Sequence, residues 1–452
     1  MTNRFSLSIL LVLSGFIASS AGCGTKANPY YCPDKNPDDN CTEPDICEDN
    51  SSCAAPAGVC DTSTMTCVQC TPAMASACTG TSPICGTDDS CHGCAAHTDC
   101  TASNVCLPDG SCAQPDQVAY VSAAPGGTDN QTCSLATPCT RVAAALATGR
   151  PYVKFHGVID EAVSVNGGRS VTFLADAGAG VTRSSGNGAI VTVQDDRTSL
   201  SIYDLSISNA PNSASGIGCL IPTGAGAPSL SLTRVSITNN PGGGISSSLG
   251  AVTVAQSTIS GNQGAGISNS GGSLAVSQST ISGNQGGGVS ITNGTFVIVG
   301  NVFFGNGGTM SSVGAVSITT ATSSTNRLEF NSFNQNQAQT GIGQAIHCFI
   351  TSFTAKNNIM SDNGTLAQMD QVAGSCSHAY SIARPGTMPP GAGNSATNPF
   401  FADPTKGDLH LQSTSPARRA ADPGSDLTGV ASHDIDGNVR ATPADIGAYQ
   451  FK

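Results

Sequence analysis

Asn240, Asn262, Asn284 and Asn306 recur at intervals of 22 residues, and that period constrains the fold more than any other feature of the chain. The neighbours repeat with them. Leu230, Val252, Leu274 and Phe296 form one apolar column, Leu232, Val254, Val276 and Ile298 a second, and Ile237, Ile259, Ile281 and Phe303 a third. The octet Ser257–Gly264 returns unchanged at Ser279–Gly286. A fixed period of twenty-odd residues means stacked units that bury one another's apolar faces. Leu274-Ala275-Val276 alternates as a half-buried strand does. The Gly pairs and Asn-Gln-Gly turns of each unit would stop a helix. The pattern therefore predicts a parallel β-helix, each coil being three short strands joined by turns. Equivalent residues then stack at the ~4.8 Å strand spacing. The Asn column is expected at a tight turn, in the left-handed conformation, each amide bonding the next one up the stack. That is a structural role, set against sugar contact as the rival.

Composition agrees with a turn-rich β solenoid. The 452 residues include 53 Gly and no Trp, and only 11% are charged. The formal charge is −12, and residues 32–112 hold 12 acidic residues against the single basic residue Lys35. A chain so charged is a poor partner for nucleic acid or an anionic membrane surface.

The first residues read as an export signal. Arg4 supplies the positive start, Leu7 to Ile17 a short apolar run, and Ser19-Ser20-Ala21-Gly22 the small residues before Cys23. Ala21-Gly22-Cys23 resembles the bacterial lipobox, with Ser20 where that motif usually carries Leu. The resemblance implies a diacylated Cys23 and an anchor that tethers without spanning. Gly24, in place of an inner-membrane-retaining Asp, points to the outer membrane.

Of 20 cysteines, 14 fall between Cys32 and Cys112. Beyond Cys32 and Cys41 they form three quartets: Cys47, Cys53, Cys60, Cys67; Cys70, Cys78, Cys85, Cys91; and Cys94, Cys100, Cys106, Cys112. Exported chains of this density are disulfide frameworks, in which bridges replace a core. Spacing leaves the connectivity open. The rival is zinc, because Cys67-x-x-Cys70 and Cys91-x-x-Cys94 have ligand-like spacing. The region is similar to the Cys-rich repeats that follow the lipobox of bacterial surface lipoproteins, which implies a stalk. Cys133 and Cys139 are expected to close a local loop, Cys348 and Cys376 to bridge late coils, and Cys219 to be buried and unreactive.

Val118 to Val121 reads as the first strand, and Arg141 to Leu146 as a helix that could cover the open end of the stack. Val153-Lys154-Phe155-His156-Gly157 and Ala162-Val163-Ser164-Val165 follow as strands. This order, with the Asn-column coils, resembles the pectin-lyase-like right-handed β-helix proteins over residues 116–400. The resemblance implies a fold that hosts lyases, hydrolases, esterases, epimerases, adhesins and stalks. Asp434-x-Asp436-Gly437-x-x-Arg440 followed by Asp445-Ile446-Gly447-Ala448-Tyr449 resembles the terminal segment of bacterial surface β-helix proteins. It implies a cap in which Arg440 pairs with Asp436 or Asp445. The rival is calcium, because Asp434, Asp436, Asn438 and Asp445 fall at positions 1, 3, 5 and 12 of an EF-type loop, although Val439 stands where Gly is required.

Catalytic residues are sparse. Glycan hydrolysis usually needs two carboxyl groups across one bond, and lyases of this resemblance use acidic calcium ligands with an Arg or Lys base. From Val235 to Asn326, 92 residues contain no Asp, Glu, Lys, Arg or His. The best remaining constellation is Asp195, Asp196, Arg197, Asp204 and Arg234, if neighbouring coils bring them to one face. Arg327 with Glu329 reads as a surface pair, and His347 beside Cys348 as a nucleophile pair better explained by a disulfide. The Gly-His-Gly of polygalacturonases and the Asp-Pro-His of alginate epimerases are absent.

The sequence thus predicts an all-β chain. Residues 1–22 are the signal and 23–115 a disulfide-stapled stalk. A right-handed parallel β-helix of about a dozen coils spans 116–425, and a terminal cap 426–452. The expected function is a monomeric, lipid-anchored surface protein without cofactor, displaying the solenoid to a glycan or envelope partner. The alternative is a polysaccharide lyase or glycoside hydrolase using Asp195, Asp196, Arg197 and Arg234.

Overall fold

The computed structural model describes residues 47–452 apart from 124–128, 221–225, 322, 324, 352, 365–369 and 388. The signal segment, Cys23, Cys32 and Cys41 lie outside the described residues. The chain divides into two compact units, 1–93 and 94–452.

In the first unit, two Cys quartets make short antiparallel ribbons, Val59–Asp61 with Thr66–Val68 and Ile84–Cys85 with Cys91–His92. Each quartet pairs its first cysteine with its third and its second with its fourth: Cys47–Cys60, Cys53–Cys67, Cys70–Cys85 and Cys78–Cys91. The third quartet repeats the pattern as Cys94–Cys106 and Cys100–Cys112, but belongs to the second unit. Sulfurs committed to disulfides are not the thiolates that zinc requires. The expected bridges Cys133–Cys139 and Cys348–Cys376 also form, and Cys219 is free and buried.

The second unit is a solenoid with three faces of parallel strands, 11, 10 and 9 strands tall. The stack is shorter than the dozen coils expected, because at most nine coils can carry a strand on all three faces. Some segments counted as coils are instead the long loops and the flanking C-terminal segment. The apolar columns stand in register: Leu200, Leu230, Val252, Leu274 and Phe296 align strand by strand on the first face. All five are essentially inaccessible to solvent. Helix Val142–Ala147 closes the open end, with Val142, Ala145 and Leu146 joining the core. Its unpaired N-terminal N–H groups, at Val142 and Ala143, donate to the Glu161 carboxylate.

The Asn column is a buried amide ladder between the second and third faces. Each Nδ2 donates to the next Oδ1, Asn240 to Asn262 at 3.0 Å, Asn262 to Asn284 at 2.8 Å and Asn284 to Asn306 at 2.9 Å. The same Oδ1 accepts the backbone N–H of the Asn below, and Nδ2 also reaches a backbone carbonyl, Ile259 in the case of Asn284. The ladder continues through Asn336 and Asn363 to Gln371. The left-handed residue, however, is the one before each ladder Asn: Asn239, Gly261, Gly283, Gly305, Gln335 and Asp362. Tight stacking also explains the repeated glycines. A Cβ on Gly264 would lie 2.3 Å from the Gly242 carbonyl oxygen.

A second ladder lines the corner between the first and second faces. Ser257, Ser279, Asn301, Asn331 and Asn358 each accept the backbone N–H of the equivalent residue one coil below. Here too the preceding residue is left-handed, giving a corner column of Asp204, Arg234, Gln256, Gln278, Gly300, Phe330, Asn357 and Tyr380.

The C-terminal segment is not an end cap. The last parallel strand is Ile382–Arg384, and the chain then returns along the side of the stack. Phe401, Leu409, Leu411, Ala417 and Ile446 pack on Val299, Val302, Phe330, Ile359 and Ile382 along this same corner. Gln278 Nε2 donates to the Asp434 carbonyl at 2.8 Å, and Asn357 is bonded to Asp422 and Ser425. Lateral packing wins because the coil-corner residues Val299, Val302 and Phe330 are apolar and would otherwise face solvent.

Replacing Asn284 by Ala strands two buried donors of Asn262, and is expected to cost about 2–5 kcal/mol in thermal or chemical unfolding, at about 1–3 kcal/mol per group. Ser268→Ala, on an exposed position, is the control and should stay within ~0.5 kcal/mol. A second prediction concerns acid. His378 is 4% exposed near the end of the stack, and burial pushes its pKa down to about 4. An unfolded His takes its proton near 6.5, so unfolding gains protons as pH falls. Stability should therefore drop from pH ~6.5 to ~4, by roughly 3 kcal/mol at most. His378→Leu should remove that slope from a pH series of melting temperatures.

Candidate corner cleft

Each expected site residue can now be placed. Asp195-Asp196-Arg197 lies in the turn between strand Val191–Gln194 of the third face and strand Ser199–Tyr203 of the first. Asp195 accepts the Gly167 N–H at 3.1 Å, and Asp196 and Arg197 form a loose, exposed contact of 3.7 Å. Arg234 lies at the opposite end of the first face, in the corner column. Its Nε and Nη2 donate to the two carboxylate oxygens of Asp204 at 2.6 and 2.8 Å. The intervening five-residue strand separates the two groups by roughly 15–20 Å. The structure thus brings Arg234 to Asp204 and leaves Asp195, Asp196 and Arg197 apart from both. The left-handed backbone at Arg234 belongs to the whole corner column and is not strain peculiar to this residue.

The calcium candidates are spoken for by the backbone. Asp434 accepts the N–H groups of Asp436 and Asn438, the Asn438 amide, and the Gln450 N–H. Asp445 accepts the Arg419 and Phe451 N–H groups, and Asp436 pairs with His410 Nε2 at 2.8 Å. These N–H groups aim their positive ends where a cation would sit, so the arrangement is a polar turn. Arg440 pairs with neither Asp436 nor Asp445. It lies over the Phe330 ring at 4.5 Å and donates to the Ala448 carbonyl at 3.2 Å. Burial pushes it down to about 10 against the pull of Asp434 and Asp445. His347 stacks on Phe349, and Cys348 is in its disulfide, so no nucleophile pair forms. Arg327 and Glu329 do pair, at 2.9 Å.

The chemistry that the sequence did not reveal sits under the third Cys quartet. Val105 and Ala113 of this module pack on Val118, Tyr120 and Leu174 of the solenoid. His97 fixes the module at one edge. Its Nδ1 accepts the Cys106 N–H at 3.0 Å. A ring nitrogen that accepts carries no proton, so His97 is held neutral. Burial, and then the nearby Lys154 charge, pull its pKa below the ordinary value.

Beside His97, the Lys154 ammonium is 2% exposed and lies 2.7 Å from Asp176, which also holds His156 at 3.0 Å. Burial lowers the Lys154 pKa, and the Asp176 partner offsets part of that. Asp176 is itself held low by Lys154 and His156, which outweigh its own desolvation. A small cleft of about 220 Å³ opens over Lys154, His156, Asp176 and Tyr120.

The larger cleft, about 620 Å³, runs between the module and the corner column. Leu107 and Pro108 face it from the module, and Leu174, Tyr203, Asp204 and Arg234 from the solenoid. Its volume is within the roughly 300–1,000 Å³ usual for small-molecule sites. It combines apolar walls, one aromatic ring and one oriented donor–acceptor pair, which is equipment for holding a polar ligand. Of the constellation expected on neighbouring coils, Asp204 and Arg234 do meet, across a coil of 30 residues that is followed by one of 22.

This solenoid is a right-handed parallel β-helix. The family described as "Right handed beta helix region" matches residues 161–333 and again 223–382. Two overlapping matches are what an internally repeated sequence produces. Among solved structures, the chain is similar to pectate lyase Pel9A, with a TM-score of 0.45 and 13% identity, over 74% of this chain and 96% of that one. That likeness concerns the fold alone. No curated protein matches the chain.

Proposed function

We propose that this chain is an exported, non-catalytic display protein whose β-helix holds a glycan or a glycan-bearing envelope partner in the corner cleft. The observation that carries the reading is the cleft itself, where Tyr203, Asp204 and Arg234 face Leu107 and Pro108. Sugars offer hydroxyl pairs on their edges and C–H groups on their faces, and such a lining meets both. The charge-free run from Val235 to Asn326 supplies rigid height and no acid or base.

Export and the surface anchor are part of the proposal. The 16 cysteines bridged in the described residues suit an oxidising compartment. The export signal and Cys23 supply the route and the tether. No helix among the described residues is long and apolar enough to cross a membrane, and a lipid anchor needs none. Calcium is not required by this reading, and the chain acts as a single copy.

The competing reading is a polysaccharide lyase or hydrolase acting through Asp195, Asp196, Arg197 and Arg234. It is weakened by the engagement of Arg234 with Asp204. The purified chain should be incubated with acidic and neutral polysaccharides, with and without calcium, and assayed for new reducing ends and for binding. Binding without cleavage is expected, unchanged by Asp195→Asn. Arg234→Ala should weaken it by ~10-fold or more, the effect of losing a charge-assisted hydrogen bond. New reducing ends would overturn the non-catalytic reading.

A further inference from the structure

The charges facing the cleft bear on which glycan chemistry it can accommodate. Among the described residues, its charged or titratable lining groups are His97, Tyr203, Asp204 and Arg234, beside the Cys94–Cys106 disulfide. Arg234 is bound on two nitrogens by Asp204. His97 spends its acceptor on the Cys106 N–H and is neutral. Lys154, whose charge acts on His97, is buried and paired with Asp176. No uncompensated positive charge lines the cleft. The chain as a whole carries −12.

A polyuronate brings one carboxylate per sugar. Moving a carboxylate out of water is costly unless an unpaired cation receives it. A neutral glycan carries no such requirement. Its vicinal hydroxyls can donate to Asp204 and accept from Arg234, whose side chains remain 37% and 52% exposed. Its C–H faces can lie on Tyr203, Leu107 and Pro108.

We propose that the corner cleft takes a short segment of neutral glycan and rejects polyuronates, with Asp204 setting that selectivity by cancelling the charge of Arg234. This rests on the glycan-binding reading above, and adds the substrate class and a specificity-determining residue.

The test titrates the full chain with labelled β-glucan and mannan hexasaccharides and with hexagalacturonate, at low and high salt. Neutral hexasaccharides should bind with less than ~2-fold change between ~20 and ~500 mM NaCl, since no net charge is exchanged. Hexagalacturonate should bind at least ~10-fold more weakly. Asp204→Asn uncovers the guanidinium, and should raise hexagalacturonate affinity by ~10-fold in low salt, with the gain lost in high salt. Should that variant melt early, Arg234→Gln serves instead: it should lose ~10-fold toward the neutral probes and gain nothing toward the uronate. Wild-type preference for hexagalacturonate, or a folded Asp204→Asn chain without the gain, would overturn the selectivity and leave glycan binding standing. Failure of every probe to bind the wild-type chain would remove the glycan reading itself.

Discussion

Buried side-chain amides and hydroxyls, repeated along two of the three coil corners, are the interaction on which the rest of this structure depends. A stack of short strands could slip in register, because apolar columns of Val, Leu and Ile are interchangeable. An amide in a dry interior is not. Asn284 finds all its partners only when Asn262 lies below and Asn306 above. A slip would leave several donors unsatisfied at about 1–3 kcal/mol each. The inner ladder therefore fixes the register, and coil length can vary without disturbing it. The coil from Asn306 to Asn336 gains eight residues over the one before it, yet the ladder crosses it at 2.8 Å.

That regularity has a consequence for chemistry. A corner fixed from within exposes a straight column of left-handed residues outside, and these can change without cost to the core. Two segments use the column as a docking rail. The Cys94–Cys112 module takes the early coils, and the C-terminal segment takes Gln278 to Asn357. The cleft forms where the module meets Tyr203, Asp204 and Arg234. The functional candidate is thus a by-product of how a repeated corner recruits its flanking segments.

The period made the fold legible, and the residue types limited how far. Asn240, Asn262, Asn284 and Asn306 announce their ladder because the side chain never changes. The second ladder has the same period but passes from Ser257 and Ser279 to Asn301, which hides it in a Ser-rich chain. The left-handed residue stands one position before the ladder Asn, a distinction hidden in the sequence because Asn can supply either the turn or the ladder. Within the expected constellation only Asp204 and Arg234, 30 residues apart, meet, while the run Asp195-Asp196-Arg197 stays apart; the pair Lys154 with Asp176, 22 residues apart, carries no signal in the sequence. Disulfide-rich character was plain, but not that the third quartet would leave its fellows and pack on the solenoid. The terminal Asp-x-Asp-Gly motif read as a cap or a calcium loop. Its carboxylates are consumed by backbone N–H groups, a fact that only coordinates supply.

The central claim is that this corner cleft is where the protein meets its ligand. A crystal structure of the full chain grown with a neutral hexasaccharide tests it most directly. The account predicts sugar density against Tyr203, with hydroxyls on Asp204 and Arg234 and the opposite face against Leu107 and Pro108. Sugar bound at the Asp195–Arg197 turn, or along the Ser and Thr faces with the cleft empty, would contradict it.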